Sequence, residues 1–453
     1  MKVLIHSGHV IDPGNAVSSK LNLLLENGKV SAVTTEMPEA DLQINASGKI
    51  VCPGFLDIHM HEDPVGADGR LVLTDETAIF NCMLRMGVTT AVGGNCGENK
   101  YHPADYLDIV DRDGAPVNVA MLAGHEFFRK KAGCTDKYAP ATEAQKAQMA
   151  DEIEQSLARG CAGVSFGIRY VPGMDVQELI QTAASCRKYG RLIAAHIRSD
   201  AEEVFDSARE FLDAGLQLGV PLQLSHIGSM AGFGQMKRFL TLVDSYRLRS
   251  PGIACDCYPY DAFSTSIGSS TYDDGWLERY KCGYDVVELS EGKYKRQRCT
   301  KETFEEMRRD FPSCTTVCYV MQQEDVDLAF QHPGVMLGSD GTLSQGQGHP
   351  RAAGAFPRLL AKYVRSGKVP MYHAIDMMTA MPAQQLGLRN KGRLNIGSDA
   401  DVVIFDPLTV DDLATFDQPI LPPSGINWVI VNGVPAARDG QILHGRAGRA
   451  VRL

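Results

Sequence analysis

The 453-residue chain has no long basic run. The densest stretches are "RKK" and "KYKRQR", within a formal net charge of −10. This argues against a nucleic-acid or anionic-membrane partner, since either would require clustered cations. Long apolar runs are missing too. The opening "MKVLIHSGHVIDPG" has one short apolar stretch, broken at His6, Ser7, Gly8 and His9, which fits neither a signal peptide nor a membrane span. Twelve cysteines are present but form no paired framework, so they are expected to be reduced thiols of a cytoplasmic protein. Cys255/Cys257 and Cys314/Cys318 lack a second pair at zinc-finger spacing and read as buried thiols. No internal repeat or low-complexity segment appears.

What is present describes a soluble globular protein, with 44% hydrophobic and 22% charged residues. The length exceeds the usual single core, so two packing units or one large barrel with an appendage are expected. Residues 1–54 read as short strands: "KVLIHSGHVID", "LNLLLENGKVSAV" and "ADLQINASGKIVCPG". The "ENGK" and "ASGK" turns between them suggest hairpins. The tail, 391–453, repeats this texture in "DADVVIFDP", "INWVIVNGVPAARDG" and "AGRAVRL", so both ends are expected to build one small β-sandwich.

Between them, 55–390 alternates strand and helix patterns. Eight apolar runs ("FLDIHMH", "VTTAVGGN", "VNVAMLAG", "AGVSFGI", "RLIAAHI", "LQLSHIG", "GIACDCYPY", "GVMLGSDG") are mostly separated by helical segments, several of which end in glycine. The fold class predicted is α/β, a (β/α)8 TIM-type barrel plus the sandwich. The gap between the seventh and eighth runs is too long for one crossover, and about 266–312 is read as an insertion.

In such barrels chemistry sits at the C-terminal ends of the strands. His59 and His61 stand in "GFLDIHMHED", on one face of a strand if the strand continues, roughly 6–7 Å apart. Cys96 follows strand two, His196 ends strand five, His226 ends strand six and Asp340 closes strand eight. Singly, each has an ordinary explanation, such as a buried thiol, a turn carboxylate or a core histidine. Together they point to a metal centre, and nitrogen, thiolate and carboxylate donors favour zinc. One arrangement gives His59, His61 and Asp340 to one site and Cys96, His196 and His226 to another. Strand four offers neither lysine nor glutamate as a bridge, so either Cys96 bridges or one site is weak.

The motifs "PGFLDIHMH", "GGNCG", "YVPG", "AHIRSD", "DCYPYDAFSTS", "GSDG" with "HPR" ten residues on, and "GRLNIGSDADVVIFDP" resemble the amidohydrolase superfamily. Within it they resemble the D-aminoacylase (N-acyl-D-amino-acid deacylase) group, over nearly the whole chain. The resemblance implies zinc and hydrolysis of an amide beside a free carboxylate. It also implies one tightly held ion on Cys96, His196 and His226, with room for a second. The implied partner is a small acylated amino acid; homo-oligomerisation is left open. Asp340 is the expected proton carrier, and Arg351, by resemblance, holds the substrate carboxylate in a fork. Tyr170, Tyr260 and Ser264 are further substrate-contact candidates, and Arg198 either faces the site or pairs with Asp200. Relatives often carry a lysine two residues after the strand-six histidine. Here that position is Gly228, and Arg169 is the candidate replacement for its charge. A cyclic-amide hydrolase of the dihydroorotase or hydantoinase kind is the alternative; those usually bridge two metals with a modified strand-four lysine.

Overall fold

The protein is described from a computed structural model covering residues 1–73 and 78–453. Eight parallel strands form its centre: β1 (Phe55–Asp57), β2 (Val88–Gly93), β3 (Asn118–Gly124), β4 (Gly163–Gly167), β5 (Leu192–His196), β6 (Leu222–Leu224), β7 (Ile253–Cys257) and β8 (Val335–Leu337). They lie side by side in chain order. Each falls within one of the eight apolar runs. Their residues are buried almost without exception, as expected for parallel strands covered on both faces. The ring closes just beyond β1 and β8, where Met60 bridges Gly341. There Asp340 N–H donates to the His59 carbonyl (2.7 Å) and His61 N–H to that of Gly341 (2.9 Å). The closing seam thus runs through three of the candidate ligands.

Helices between the strands pack their apolar faces on the barrel. Glu143–Ala158 starts in a reciprocal capping box between Thr142 and Gln145, which satisfies two otherwise orphaned N–H groups. The long pattern "VQELIQTAASCRKYG" divides into Val176–Ala183 and Ser185–Tyr189 and ends at Gly190 with φ 64°.

Between β7 and β8 a three-stranded antiparallel sheet is inserted. Thr315–Cys318 is central, with Phe263–Ser266 and Val287–Leu289 on either side. Tyr272, Trp276 and Phe304 pack beneath it, with ring centroids 5.2–5.5 Å apart, so the insertion has its own small aromatic core.

The terminal segments form two further sheets. One has the order 29–34, 22–26, 2–6, 42–45. The other runs 441–442, 434–438, 426–431, 402–405, 50–53, 9–12, 17–20 and so joins both ends of the chain. Three details differ from the sequence reading. "KVLIHSGHVID" is two strands, Lys2–His6 and His9–Asp12, in different sheets; a Cβ at Gly8 would lie 2.5 Å from Val51 Cγ2, so the chain turns the corner at a residue without one. "ENGK" is a hairpin turn, with Asn27 and Gly28 both at positive φ. "ASGK" is not, because Leu42–Asn45 and Ile50–Pro53 pair with partners in separate sheets. "AGRAVRL" leaves the sandwich altogether. It runs beside β3, with Ala450 bridging Val119, and Val451 packs with Leu56, Leu122 and Leu192 of the barrel.

Candidate metal centre

The donors stand at or just beyond the ends of barrel strands. β1 stops at Asp57, so His59 and His61 lie in a bend past the strand, not on one strand face. Their ring centroids are 6.0 Å apart. Cys96, His226 and Asp340 all adopt left-handed backbone conformations, with φ 54°, 35° and 50°. Such geometry is uncommon for residues with a Cβ and persists only where surroundings impose it.

The surroundings are visible for Cys96. Glu62 accepts hydrogen bonds from Gly94 N–H (2.8 Å) and Lys100 N–H (3.0 Å). Ser165 of β4 accepts one from Gly97 N–H (3.0 Å) and donates to the Gly94 carbonyl. The neighbouring Asp63 caps the helix Ile79–Arg85 through the Ile79 and Phe80 amides. Neither acid is a ligand; both brace the scaffold. A Cβ at Gly167 of β4 would run into the Cys96 carbonyl, so the thiol loop lies directly over the strand that lacks a lysine.

Two donor groups result: His59, His61, Cys96 and Asp340, and Cys96, His196 and His226, with the donor atoms of each within 4.8 Å of one another. They share Cys96. Its Sγ is 3.4 Å from Nε2 of both His59 and His226, close to the edge of about 3.5 Å that a tetrahedral zinc with nitrogen and sulfur ligands would impose. Nε2 of His61 is 3.2 Å from Asp340 Oδ1. The far nitrogens of two histidines are held in place. His59 Nδ1 faces the Asp256 carboxylate at 3.2 Å. His226 Nδ1–H donates to Ser229 Oγ (3.0 Å), which donates on to the His226 carbonyl. Both Nε2 atoms are therefore left as lone-pair donors. Nδ1 of His196 is buried without a hydrogen-bond partner among the described residues. Donor chemistry, spacing and this orphaned atom all fit a metal ion. Burial alone would push the Cys96 thiol up, but His59 and His226 outweigh it and hold it well below the usual thiol range. Burial would also raise Asp340; Arg351 first, then His61, hold it well below the usual carboxylate range.

Over this cluster lies a chamber of about 340 Å³, lined by His61, Cys96, Tyr170, Ser264, Asp340 and Arg351 among others. Arg351 is buried, with Nη2 2.9 Å from Asp340 Oδ2 and its guanidinium over the Tyr258 ring at 4.5 Å. Its Nε and Nη1 have no partner among the described residues. Tyr170 sets its ring edge to His196 (4.6 Å). Ser264 donates to the Thr316 carbonyl and lines the chamber as well.

Tyr260 does not line it. That ring packs on His349 (4.9 Å) and under Arg358 (4.4 Å), and Tyr258 is the tyrosine of "YPY" that meets Arg351. Arg169 also stays out of the lining: it donates to the carbonyls of Arg198 and Thr271. Arg198 does neither thing expected of it, pairing with Glu210 (2.7 Å), while Asp200 pairs with Arg279 and Tyr280. A side chain at Gly228 would meet Cys257 and Met321, so this position faces packed interior. Asp256, Tyr258 and Ser229 were missed. The first two stand inside the quoted "DCYPYDAFSTS" motif, where alternation alone does not say which side chain reaches across the barrel.

Barrel and donors define the class, a metal-dependent hydrolase. Residues 324–437 match the model of the amidohydrolase family. D-aminoacylase of Alcaligenes xylosoxydans xylosoxydans is 30% identical over 99% of this chain and 97% of its own. N-acyl-D-glutamate deacylase of the same organism is 30% identical over 98% and 96%. The crystal structure of N-acyl-D-glutamate deacylase from Bordetella bronchiseptica, complexed with zinc and a phosphonate inhibitor, superposes with a TM-score of 0.88 at 30% identity, covering 100% of this chain and 99% of that one. Dihydroorotases align too, at 22–41% identity over 90% of this chain. The chain belongs to the amidohydrolases, in the group of D-aminoacylase and the N-acyl-D-amino-acid deacylases.

Proposed function

We propose that this protein is a zinc-dependent deacylase that cleaves the amide bond of N-acyl-D-amino acids. The observation that carries the reading is one side-chain contact: Arg351, with two free N–H groups, sits on Asp340 at the edge of a donor cluster built around Cys96. A linear amide beside a carboxylate needs both features within one small chamber.

Cys96, His196 and His226 would hold the tightly bound ion; His59, His61 and Asp340, with Cys96 shared, form the second group. Bound zinc lowers the pKa of water to about 7 and polarises a carbonyl. Asp340 takes the proton of the attacking water and returns it to the leaving nitrogen. Arg351 meets the substrate carboxylate with guanidinium N–H donors that Asp340 leaves free, so the amide is presented in one orientation. Tyr170 and Ser264 bound the space the acyl-amino acid fills. The reduced thiols suit a cytoplasmic enzyme, and among the described residues no helix is long and apolar enough to cross a membrane.

The cyclic-amide alternative is less favoured, because Gly167 and Ser165 occupy β4 under the Cys96 loop, where a bridging lysine would have to stand. The test is direct. Purified protein reconstituted with zinc is assayed for free amine release from N-acetyl-D- and N-acetyl-L-amino acids, with dihydroorotate and hydantoin in parallel. D-selective release supports the reading; turnover of only the cyclic amides refutes it.

A further inference from the structure

Small-molecule sites are usually lined by hydrophobic and aromatic side chains with a few placed polar groups. The chamber over the donor cluster reverses this. Among the described residues its lining includes no leucine, isoleucine, valine, methionine or phenylalanine, whereas seven are serine or threonine; Met230 and Phe263 line only the much smaller recess of about 20 Å³ beside it. Some of these hydroxyls are used within the protein: Ser264 donates to the Thr316 carbonyl and Ser270 to that of Arg169. Those of Ser266, Thr315 and Thr342 meet no partner among the described residues. They come from three separate places. Ser266 ends one strand of the insertion, Thr315 begins the strand beside it, and Thr342 follows Asp340 by two residues.

The charges in the lining do not favour an ion of either sign. Lys137 makes no ion pair among the described residues, yet it shares the chamber with Glu98 and Glu126. Glu126 pairs with Lys130 through one oxygen (2.7 Å) and leaves the other without a partner. The only arginine in the lining among the described residues, Arg351, is engaged with Asp340 and, on the deacylase reading, with the substrate's own α-carboxylate. An acidic substituent would meet two carboxylates there, a basic one would meet Lys137, and an alkyl one would strip water from free hydroxyls without replacing it.

We propose that the preferred substrates are N-acyl-D-amino acids whose side chain is small, uncharged and hydrogen-bonding, of the serine, threonine, asparagine or glutamine kind. This rests on the deacylase reading and names its substrate class. Apolar and acidic side chains are disfavoured because the site's hydroxyls lose their water or its carboxylates repel the ligand.

The test compares kcat/KM of the zinc-loaded enzyme for the N-acetyl derivatives of D-serine, D-asparagine, D-leucine, D-methionine, D-glutamate and D-lysine. The expectation is that serine and asparagine lead the other four by at least about tenfold. Thr315→Val and Thr342→Val, each close in shape to the residue removed, are expected to cut the asparagine-to-leucine ratio by roughly 5- to 10-fold, chiefly through KM. Two variants from different segments guard against one failing to fold. Product inhibition gives a readout separate from turnover: free D-asparagine should inhibit more strongly than free D-leucine. A lead for leucine, methionine, glutamate or lysine, or an unchanged ratio in both folded variants, overturns the proposal while leaving the deacylase reading intact. If no N-acyl-D-amino acid is cleaved by metal-replete protein, the deacylase reading fails, and this proposal with it.

Discussion

Asp256 stands behind His59, its Oδ1 3.2 Å from Nδ1, and both side chains are fully buried. The same carboxylate accepts from the His226 backbone amide (2.7 Å) and from Gln223 Nε2 (2.6 Å). One acid on β7 thus positions a residue of each donor group, and it keeps the proton of His59 on the nitrogen that faces away from the cluster.

Asp256→Asn should therefore weaken metal binding without unfolding the barrel. Loss of such a supporting carboxylate costs about 10- to 100-fold in metal affinity. Equilibrium dialysis against graded chelator, with circular dichroism to verify the fold, measures it. An unchanged affinity in folded protein would mean that His59 needs no orienting partner, or that the ion is held by the other group alone.

Cys96 is the donor common to both groups, so Cys96→Ala should release metal from the whole centre. Activity should fall by at least about 100-fold, and metal content after gel filtration should fall with it. His61→Ala removes a donor from one group only and should leave the other ion bound. Comparable metal retention in the two variants would show that the groups do not depend on a shared thiolate.

The eight barrel strands, and the six residues that the fold gathers into two candidate donor groups, could be read from the sequence because each is a local pattern. An apolar run of strand length and a ligand-type residue at its end need no knowledge of what lies across the barrel. The parts that escaped are set by distant partners. Asp256 becomes informative only once β7 is known to face the segment after β1. "ASGK" looks like "ENGK", but its flanking strands join different sheets, and this follows from pairing with 402–405 and 2–6. Tyr258 and Tyr260 share a motif, and only the packing of Arg358 and His349 decides which of them meets Arg351.

Arg351 contacts Asp340 and, on the proposed reading, the substrate carboxylate. Arg351→Lys keeps one charge but loses the fork. It should raise KM strongly and lower kcat/KM by about 10²- to 10³-fold, the scale of a lost charge-assisted bidentate contact. Steady-state kinetics on an N-acetyl-D-amino acid and on its amide, which lacks the carboxylate, separate the two roles. The penalty should shrink for the amide. An equal penalty on both would place Arg351 in service of Asp340 only.

Far from the chamber, Lys391 has its Nζ 2.7 Å from Asp401 and 3.1 Å from Asp399, and Asp401 in turn accepts from Asn118 Nδ2 of β3 (3.1 Å), joining barrel and sandwich. Lys391 and Asp401 are buried, so Lys391→Met leaves a buried acid unpaired, a change that typically costs about 3–5 kcal/mol. Its pH dependence has a definite sign. Burial alone would raise the Asp399 carboxyl, but Lys391, and then Lys29, hold it below its ordinary value. That contribution is present above the unfolded carboxylate range and is lost as pH falls through the lower folded value. Burial would lower the Lys391 amine, but Asp401 and then Asp399 raise it, so its contribution is present at neutral pH and is lost only as pH rises past the raised folded value. Thermal melts of wild type and Lys391→Met should be furthest apart between about pH 5 and pH 9 and converge towards pH 3. A gap in melting temperature that stays constant down to pH 3 would mean that Lys391 stabilises the junction by packing its methylenes and not by charge.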